Sequence, residues 1–376
     1  MRRIYLDYNA STPIAPEVAA AMRPFLDEAY GNPSSAHWAG KPARDAVETA
    51  RGQIADLLGC APDEVVFTSG GSEANNHALK GVAFARRDKG DHIVTSAVEH
   101  PAILAPCAHL AQRGYQITQV PVDQFGQVDP DDVRRAITPR TILVSIMHAN
   151  NEVGTIEPIA EIARITHERN LLLHTDAAQS VGKIATKVEE LGVDMLSIAG
   201  HKLYAPKGVG ALYIRRGTPI EPLIHGAGHE GGRRAGTESA LMAVALGAAA
   251  SLARDLDSME RVRALRDRFW RLLQDDFGDR VVLNGHPEQR LPNTLNVSFV
   301  GMVGAEVLAR LGDVAASTGS ACHSGRITLS PVLAAMGVAP QVGMGAIRFS
   351  LGRDSTQADI DDVVDQLNRV LHHTIG

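Results

Sequence analysis

Four short polar segments of the sequence directly follow apolar runs, and each carries a side chain that could do chemistry. Lys202, in Gly200-His201-Lys202, comes after the run Val193–Ile198. A lysine withdrawn from water loses its charge readily and can form a Schiff base with an aldehyde. A lysine taken alone is far more often an exposed surface residue. The interpretation of Lys202 therefore depends on the other polar residues predicted to lie near it.

Asp176 ends a strongly apolar run, Leu171–Thr175. A carboxylate is costly in such surroundings unless it has a partner. A protonated pyridine nitrogen is one such partner, and pyridoxal 5'-phosphate needs one to act as an electron sink. For Asp176 alone, capping of the following helix explains the residue equally well.

Two further segments complete the set. Ser69-Gly70-Gly71-Ser72 follows the run Val65–Thr68, and a helix that begins at such a turn offers free N–H groups to a phosphate. Ordinary strand–helix loops look similar, so this turn is weak support by itself. His100 follows the run His92–Thr95 and could stack on a flat ring and move protons near neutral pH, although a single histidine is more often structural.

The elements that must position these side chains are also visible in the sequence. From about residue 40 to 215, helical faces such as that of 43–58 alternate with short β-rich runs. These runs are Val65–Thr68, His92–Thr95, Thr141–Ile146, Leu171–Thr175, Val193–Ile198 and Gly210–Ile214. Continuously apolar strands separated by helices predict a mostly parallel sheet that is covered on both faces. Ligands of such sheets bind at the carboxyl ends of the strands, where all four polar segments lie.

After a long helical stretch at about 238–275, the character of the sequence changes. The strand-like runs Val281–Leu283, Thr294–Phe299 and Ile347–Ser350, with helices around 304–311 and 357–372, predict a smaller α+β domain. We expect a large cofactor-binding domain at 15–255 and a small domain formed by 1–14 and 256–376.

Composition excludes several classes of function. The chain of 376 residues has a formal net charge of -6 and no long Lys/Arg run, which argues against nucleic-acid binding. We expect no signal peptide or membrane span, because Asp7 interrupts the N-terminus and the longest apolar region is too short for a bilayer. The three cysteines, Cys60, Cys107 and Cys322, form no C-x-x-C pair, so we expect no metal site and a cytoplasmic protein with free thiols.

The order of these motifs resembles the NifS/IscS family of cysteine desulfurases, in the class-V aminotransferase branch of the fold-type I pyridoxal-phosphate enzymes. The resemblance runs from Tyr5–Thr12 and Gly31–Ser35 to Arg348–Arg353 and covers essentially the whole chain. It implies an α/β fold, a mostly parallel seven-stranded sheet sandwiched by helices, together with the smaller α+β domain. It also implies a homodimer that converts L-cysteine to L-alanine and passes the sulfur to an acceptor protein for iron–sulfur cluster assembly or thiolation.

The resemblance assigns a role to individual residues. Lys202 would form the Schiff base, His100 would stack on the ring and Asp176 would hold the ring nitrogen. The remaining contacts would come from Gln179 and Asn151 near the ring oxygen, from Gly71, Ser72 and His201 at the phosphate, from Thr237 of a neighbouring subunit, and from Arg348 at the substrate carboxylate. One position departs from the pattern, since Ala199 stands where many members have a serine that contacts the phosphate.

Cys322 lies in a run of small residues, 315–325, which predicts a mobile loop. By resemblance Cys322 is the sulfur acceptor and carries a persulfide, while the apolar neighbours of Cys60 and Cys107 indicate structural roles. His323, next to Cys322, either lowers the pKa of the thiol or is solvated and idle.

Three alternatives stay open at this point. A selenocysteine lyase shares the chemistry, and the segment 321–324 and the non-serine residue at 199 both occur in that relative. In an ordinary class-V aminotransferase, Cys322 would be incidental. A catalytically dead sulfur-relay or scaffold subunit is the third alternative, and the retention of Lys202, Asp176, His100 and Cys322 argues against it.

Overall fold

A computed structural model describes residues 2–318, 320–323 and 326–372, with the backbone alone at 320–323, 326, 327 and 372. The strands are β1 (Ile4–Tyr5), β2 (Val65–Thr68), β3 (His92–Ser96), β4 (Gln116–Val120), β5 (Thr141–Ser145), β6 (Leu172–Asp176), β7 (Met195–Ala199), β8 (Gly210–Ile214), β9 (Val281–Asn284), β10 (Thr294–Phe299), β11 (Val314–Ala315), β12 (Ser317–Thr318), β13 (Ser320–His323), β14 (Arg326–Leu329) and β15 (Ala346–Ser350). The α-helices are α1 (Pro16–Met22), α2 (Pro24–Asp27), α3 (Gly40–Leu58), α4 (Gly71–Ala85), α5 (Pro101–Ala111), α6 (Pro130–Ala136), α7 (Ile159–His167), α8 (Val188–Leu191), α9 (Ala240–Ala253), α10 (Asp257–Phe277), α11 (Gly304–Leu311), α12 (Pro331–Ala335), α13 (Pro340–Gly343) and α14 (Gln357–His372).

The central sheet has seven strands in the order β2-β8-β7-β6-β5-β3-β4. Strand β8 runs antiparallel to both of its neighbours, and the other neighbouring pairs are parallel. Because β8 is antiparallel to both β2 and β7, β2 runs in the same direction as the parallel strands. The chain therefore leaves β2, β3, β5, β6 and β7 at the same edge of the sheet. The predicted mostly parallel sheet is therefore confirmed, and its carboxyl edge is the place for a ligand.

Both faces of this sheet are buried, because successive side chains of a strand point to opposite faces. Ile93 and Leu143 pack with α4 and α5 in one apolar cluster, whereas the next residues, Val94 and Val144, pack with α3 and α9 in another. Helices α3 and α9 approach closely at Gly247, where an added Cβ would lie 2.6 Å from a backbone carbon of α3. Within the described ranges, no helix combines the length and apolar character needed to cross a membrane.

A second sheet forms the smaller unit. Strands β12, β15, β10 and β9 are antiparallel in that order, and α10, α11 and α14 pack against them. Ile4 and Leu6, at the N-terminus, belong to the same apolar core as Phe269 and Phe349. This separate core supports the predicted division at about residues 15 and 255, which stays a prediction.

The structure corrects three expectations about local structure. The helical stretch at 238–275 is two helices, α9 and α10, because they serve different cores: α9 packs in the large unit and α10 in the small one. Strand β4 escaped notice since its residues are mostly half-exposed or exposed. The backbone around Cys322 is strand β13, paired with β14, rather than a loop, because a partner strand downstream supplies its hydrogen bonds.

Candidate active site

A cavity of about 610 Å³ opens at the carboxyl edge of the central sheet. Most of the residues predicted from the sequence line it: Gly71, Ser72, His100, Asn151, Asp176, Gln179, His201, Lys202 and Arg348. The strand ends β2, β3, β5, β6 and β7 each contribute from the residues that follow them, and β15 of the small unit contributes Arg348. The cavity therefore lies between the two sheets.

Lys202 follows β7 and points its amine at the N-terminal segment. Its Nζ donates hydrogen bonds to the carbonyl oxygens of Asn9 (2.5 Å) and Ala10 (2.7 Å). Burial, with a smaller contribution from the positive charge of Arg348, lowers the pKa of Lys202 to about 8. About a tenth of the amine is therefore uncharged and nucleophilic at pH 7, far more than for an ordinary lysine.

Asp176 is the last residue of β6 and is 7% exposed. Its two carboxylate oxygens accept different hydrogen bonds: Oδ2 from the side-chain amide of Asn75 (2.6 Å) and Oδ1 from the backbone N–H of Ala178 (2.9 Å). Together the two donors hold the carboxylate in one orientation. The wall of the cavity thus presents a buried, held anion to any cationic ring nitrogen.

The far end of the cavity suits a phosphate. Helix α4 begins at Gly71 directly after Gly70, whose φ of 149° favours glycine, and the N–H groups of a first helical turn have no acceptor in their own helix. An added Cβ on Gly71 would lie 3.2 Å from the Cβ of Ala199, so this turn packs closely against the end of β7. Lys207 adds a positive charge to the lining.

The two histidines of the cavity are held in the neutral state. His100 precedes α5 and accepts a hydrogen bond at Nδ1 from the N–H of Ala102 (3.0 Å), which leaves Nε2 free to exchange a proton. Desolvation lowers the pKa of His100, and the charge of Lys202 adds to the effect while Asp176 opposes it. Desolvation also lowers the pKa of His201, to about 4.

Arg348 enters from β15 and is 8% exposed. Its guanidinium donates to Asp7 Oδ1 (2.8 Å), to Ser317 Oγ (2.9 Å) and to the carbonyl oxygen of Asn151 (2.9 Å). The Nε atom has no hydrogen-bond partner among the described residues. That Nε is buried, but the nitrogen bonded to Asn151 has a second hydrogen, so the fixed guanidinium is suited to a carboxylate ligand.

Among the described residues, one predicted site residue, Thr237, does not line the cavity with the others. Thr237 is exposed on the loop before α9 and lines a neighbouring depression together with Ser69 and Arg234. The side chains of Cys322 and His323 lie outside the described residues. Burial raises the pKa of the Cys60 and Cys107 thiols to about 12, so both remain protonated and unreactive, in line with their predicted structural roles.

Comparison with known proteins identifies the family. The sequence pattern described as aminotransferase class-V matches residues 4–363. The chain belongs to the class-V aminotransferases. The chain is also 51% identical to "Cysteine desulfurase IscS" of Dictyoglomus turgidum, over 98% of this chain and 95% of the relative. It thus belongs to the cysteine desulfurase family, which confirms the resemblance seen in the sequence.

Solved structures agree with this placement. A protein described as "NIFS-LIKE PROTEIN" superposes with a TM-score of 0.93 at 38% identity, covering 99% of this chain and 100% of that one. A structure described as "SspA in complex with cysteine" superposes with a TM-score of 0.84 at 37% identity, covering 94% and 100%. The fold predicted for the class-V family is therefore the fold of this chain.

Several residues of this cysteine desulfurase site were missed by the sequence analysis. The carbonyl oxygen of Asn9 accepts a hydrogen bond from the Lys202 amine. Asn75 donates a hydrogen bond to Asp176, and Asp7 accepts one from Arg348. Asn75 offered one weak signal, since it lies a turn inside the helix that begins at the predicted phosphate loop. Asn9 and Asp7 lie in the Tyr5–Thr12 segment that carries the resemblance, but their partners are 193 and 341 positions away, so the sequence does not show what they contact.

Proposed function

We propose that this protein binds pyridoxal phosphate and converts L-cysteine to L-alanine, with the sulfur transferred to Cys322 as a persulfide. The observation that carries the proposal is the content of one cavity. It joins a lysine whose pKa is lowered to about 8, a buried carboxylate and a guanidinium with a free donor. Membership in the cysteine desulfurase family supports the same reaction.

The residues present fit the cofactor. Gly71 lies close to Ala199, and the N–H groups at the N-terminus of α4 face the cavity. Gly71, Ser72 and His201 would bind the phosphate there. Asp176 would pair with the ring nitrogen, and His100 would lie on the ring. Asn151 and Gln179 would reach the ring oxygen region, and Lys202 would bond covalently to the cofactor.

The bound cofactor would supply an electron sink for removal of the substrate α-proton. Lys202 is suited to take that proton, because an amine with a pKa of about 8 is partly neutral at physiological pH. His100 is suited to hold or release a proton at Nε2, since the N–H of Ala102 occupies its Nδ1. These assignments divide the proton transfers between two groups on the same cavity wall.

Arg348 would bind the substrate carboxylate, with Asn151 beside it. Asp7 and Ser317 fix one guanidinium nitrogen, while the nitrogen bonded to Asn151 has a second hydrogen that no described residue accepts. The substrate can therefore gain hydrogen bonds without breaking the contacts that orient the arginine. This arrangement would fix the amino-acid end of the substrate.

In the sulfur transfer, the Cys322 thiolate would form the new S–S bond to the substrate sulfur as the substrate C–S bond breaks. The carbon fragment would then take up protons and leave as alanine. A sulfur-acceptor protein, acting in iron–sulfur cluster assembly or thiolation, would remove the outer sulfur. We further propose a homodimer, because the exposed Thr237 lies outside the cavity of its own chain, and a cytoplasmic location, which suits the free thiols of Cys60 and Cys107.

The test is product formation from purified protein loaded with pyridoxal phosphate. With L-cysteine and a reductant, alanine and sulfide should appear in equal amounts, and both should vanish in Cys322→Ala. The matched control is Cys60→Ala, which removes a protonated thiol and should keep full activity. Alanine from L-selenocysteine alone would move the assignment to a selenocysteine lyase. A keto acid in place of alanine would point to an aminotransferase, and no product from either substrate would refute catalysis.

A further inference from the structure

A buried lysine that the proposed mechanism does not use lies beside the cavity. Lys183 is 8% exposed, and its Nζ donates one hydrogen bond, to Oε1 of Gln179 at 2.8 Å. Among the described residues it forms no ion pair and has no other hydrogen-bond partner. Burying an amine with a single partner costs free energy, so a structural role alone explains the residue poorly.

The backbone is shaped to bring Lys183 back over Gln179. The turn after β6 contains Gly182 with φ of 74°, and an added Cβ there would lie 2.4 Å from Leu203. The N–H of Lys183 bonds to the carbonyl oxygen of Ser180 at 2.9 Å, which closes the turn. Only glycine fits this turn, and the turn fixes the direction of the lysine side chain.

The hydrogen bond from Lys183 is one link of a chain that ends at Lys202. The Nε2 of Gln179 donates to the carbonyl oxygen of Asn9 at 3.0 Å, and the same oxygen accepts the Lys202 amine at 2.5 Å. A carbonyl oxygen only accepts, so Nε2 must face Asn9, and Oε1 must face a donor. Lys183 is that donor, and both ends of the Gln179 amide are therefore determined.

We propose that Lys183 is a positioning residue that holds the Gln179 amide with its N–H group directed to the cofactor cavity. Gln179 lines the cavity, and its Nε2 has a second hydrogen beyond the one given to Asn9. The proposal rests on the proposed function, in which Gln179 reaches the ring oxygen of pyridoxal phosphate. Lys183 itself touches neither cofactor nor substrate.

The surroundings of Lys183 disfavour its charged form. Its pKa is lowered well below the ordinary value by burial, and the charges of Lys202 and Arg348 add to the effect. The small cavity beside it is also lined by Asp255, Arg353 and Tyr204. The amine donates to Gln179 whether it is charged or neutral, so its positioning role does not depend on its charge.

The test is a pH titration of the visible absorption band of the bound cofactor. A hydrogen bond to the ring oxygen withdraws negative charge and so disfavours protonation of the nitrogen that links Lys202 to the cofactor. Lys183→Met, of similar volume but without a donor, should therefore raise the titration midpoint by about half to one pH unit, the equivalent of one net hydrogen bond. Lys183→Gln keeps an N–H donor and should restore most of the wild-type value.

A double variant separates positioning from a direct effect of charge. If Lys183 acts through Gln179, Lys183→Met combined with Gln179→Ala should titrate like Gln179→Ala alone. An unchanged midpoint in Lys183→Met, or shifts that add in the double variant, would overturn the proposal. A wild-type protein that gains no visible band with pyridoxal phosphate would instead refute the proposed function, and this inference with it.

Discussion

Asn75→Ala is the substitution that most directly tests how the cofactor site is held. Asn75 is 1% exposed, and its amide donates a 2.6 Å hydrogen bond to a buried carboxylate oxygen of Asp176. A hydrogen bond to a charged group contributes about 1.5–3 kcal/mol, and without it the carboxylate is free to turn away from the ring nitrogen. Because about 1.4 kcal/mol corresponds to a factor of ten, affinity for pyridoxal phosphate should fall about ten- to a hundredfold.

The assay is an absorbance titration of cofactor-free protein with pyridoxal phosphate. Asn76→Ala is the matched control, since the neighbouring asparagine has the same chemistry but bonds to a backbone oxygen of Ser72 at the surface. It should bind the cofactor within about twofold of wild type, as expected for a surface substitution. An Asn75→Ala Kd within that same range would refute the role assigned to Asn75 and weaken the role assigned to Asp176.

Three further predictions follow from the same geometry. Ala199→Ser places a hydroxyl beside Gly71 and should raise cofactor affinity about fivefold in that titration, since one net hydrogen bond contributes about 1 kcal/mol. Unchanged affinity would contradict the proposed position of the phosphate at this turn. Glu230→Gln removes the buried charge partner of Arg51, which accepts at 2.7 and 3.0 Å, and leaves only the exposed Glu48 at 3.3 Å. It should lower the free energy of unfolding in urea by about 3–5 kcal/mol, whereas a loss within the scatter of surface substitutions would contradict the pairing. The rate of cofactor uptake should rise with pH and level off above about 8, where Lys202 is neutral; a rate that still rises toward pH 10.5, the ordinary lysine value, would show that its pKa is not lowered.

The central sheet could be predicted because its signal is local and strong. Strands β5, β6 and β7 are buried at every residue, and each contains a run of apolar residues, while the intervening helices imply parallel order. Lys202 and Asp176 could be placed together for the same reason, since they follow neighbouring parallel strands. Burial and strand order were sufficient to locate the cavity.

The sequence-based prediction failed at three places where the local structure depends on distant partners. Strand β4 is mostly half-exposed or exposed, so it lacks the apolar run that marked its neighbours. The strand that carries Cys322 consists of small residues with weak intrinsic preference, and its pairing with Arg326–Leu329 determines its conformation. Helices α9 and α10 are separate because they pack in two different cores. No glycine or proline lies between them in the sequence to indicate the break.

The residues that support the site were also beyond local reasoning. Asn75 and Asp176 are 101 positions apart, and Asn9 bonds to Thr294 across 285 positions. A polar residue gains its role from the group that it meets, and sequence spacing does not reveal that group at such distances. Lys183 could have been suspected from its position four residues after Gln179, but only its burial distinguishes it from a surface lysine.

The central claim is that Cys322 receives the sulfur, and mass spectrometry after one turnover tests it most directly. Protein loaded with cofactor is mixed with one equivalent of L-cysteine without reductant, and free thiols are then blocked and the chain digested. One added sulfur atom is expected on the peptide that contains Cys322, and none on those that contain Cys60 or Cys107, whose thiols stay protonated. Alanine release with the added sulfur on another peptide, or on none, would contradict the account.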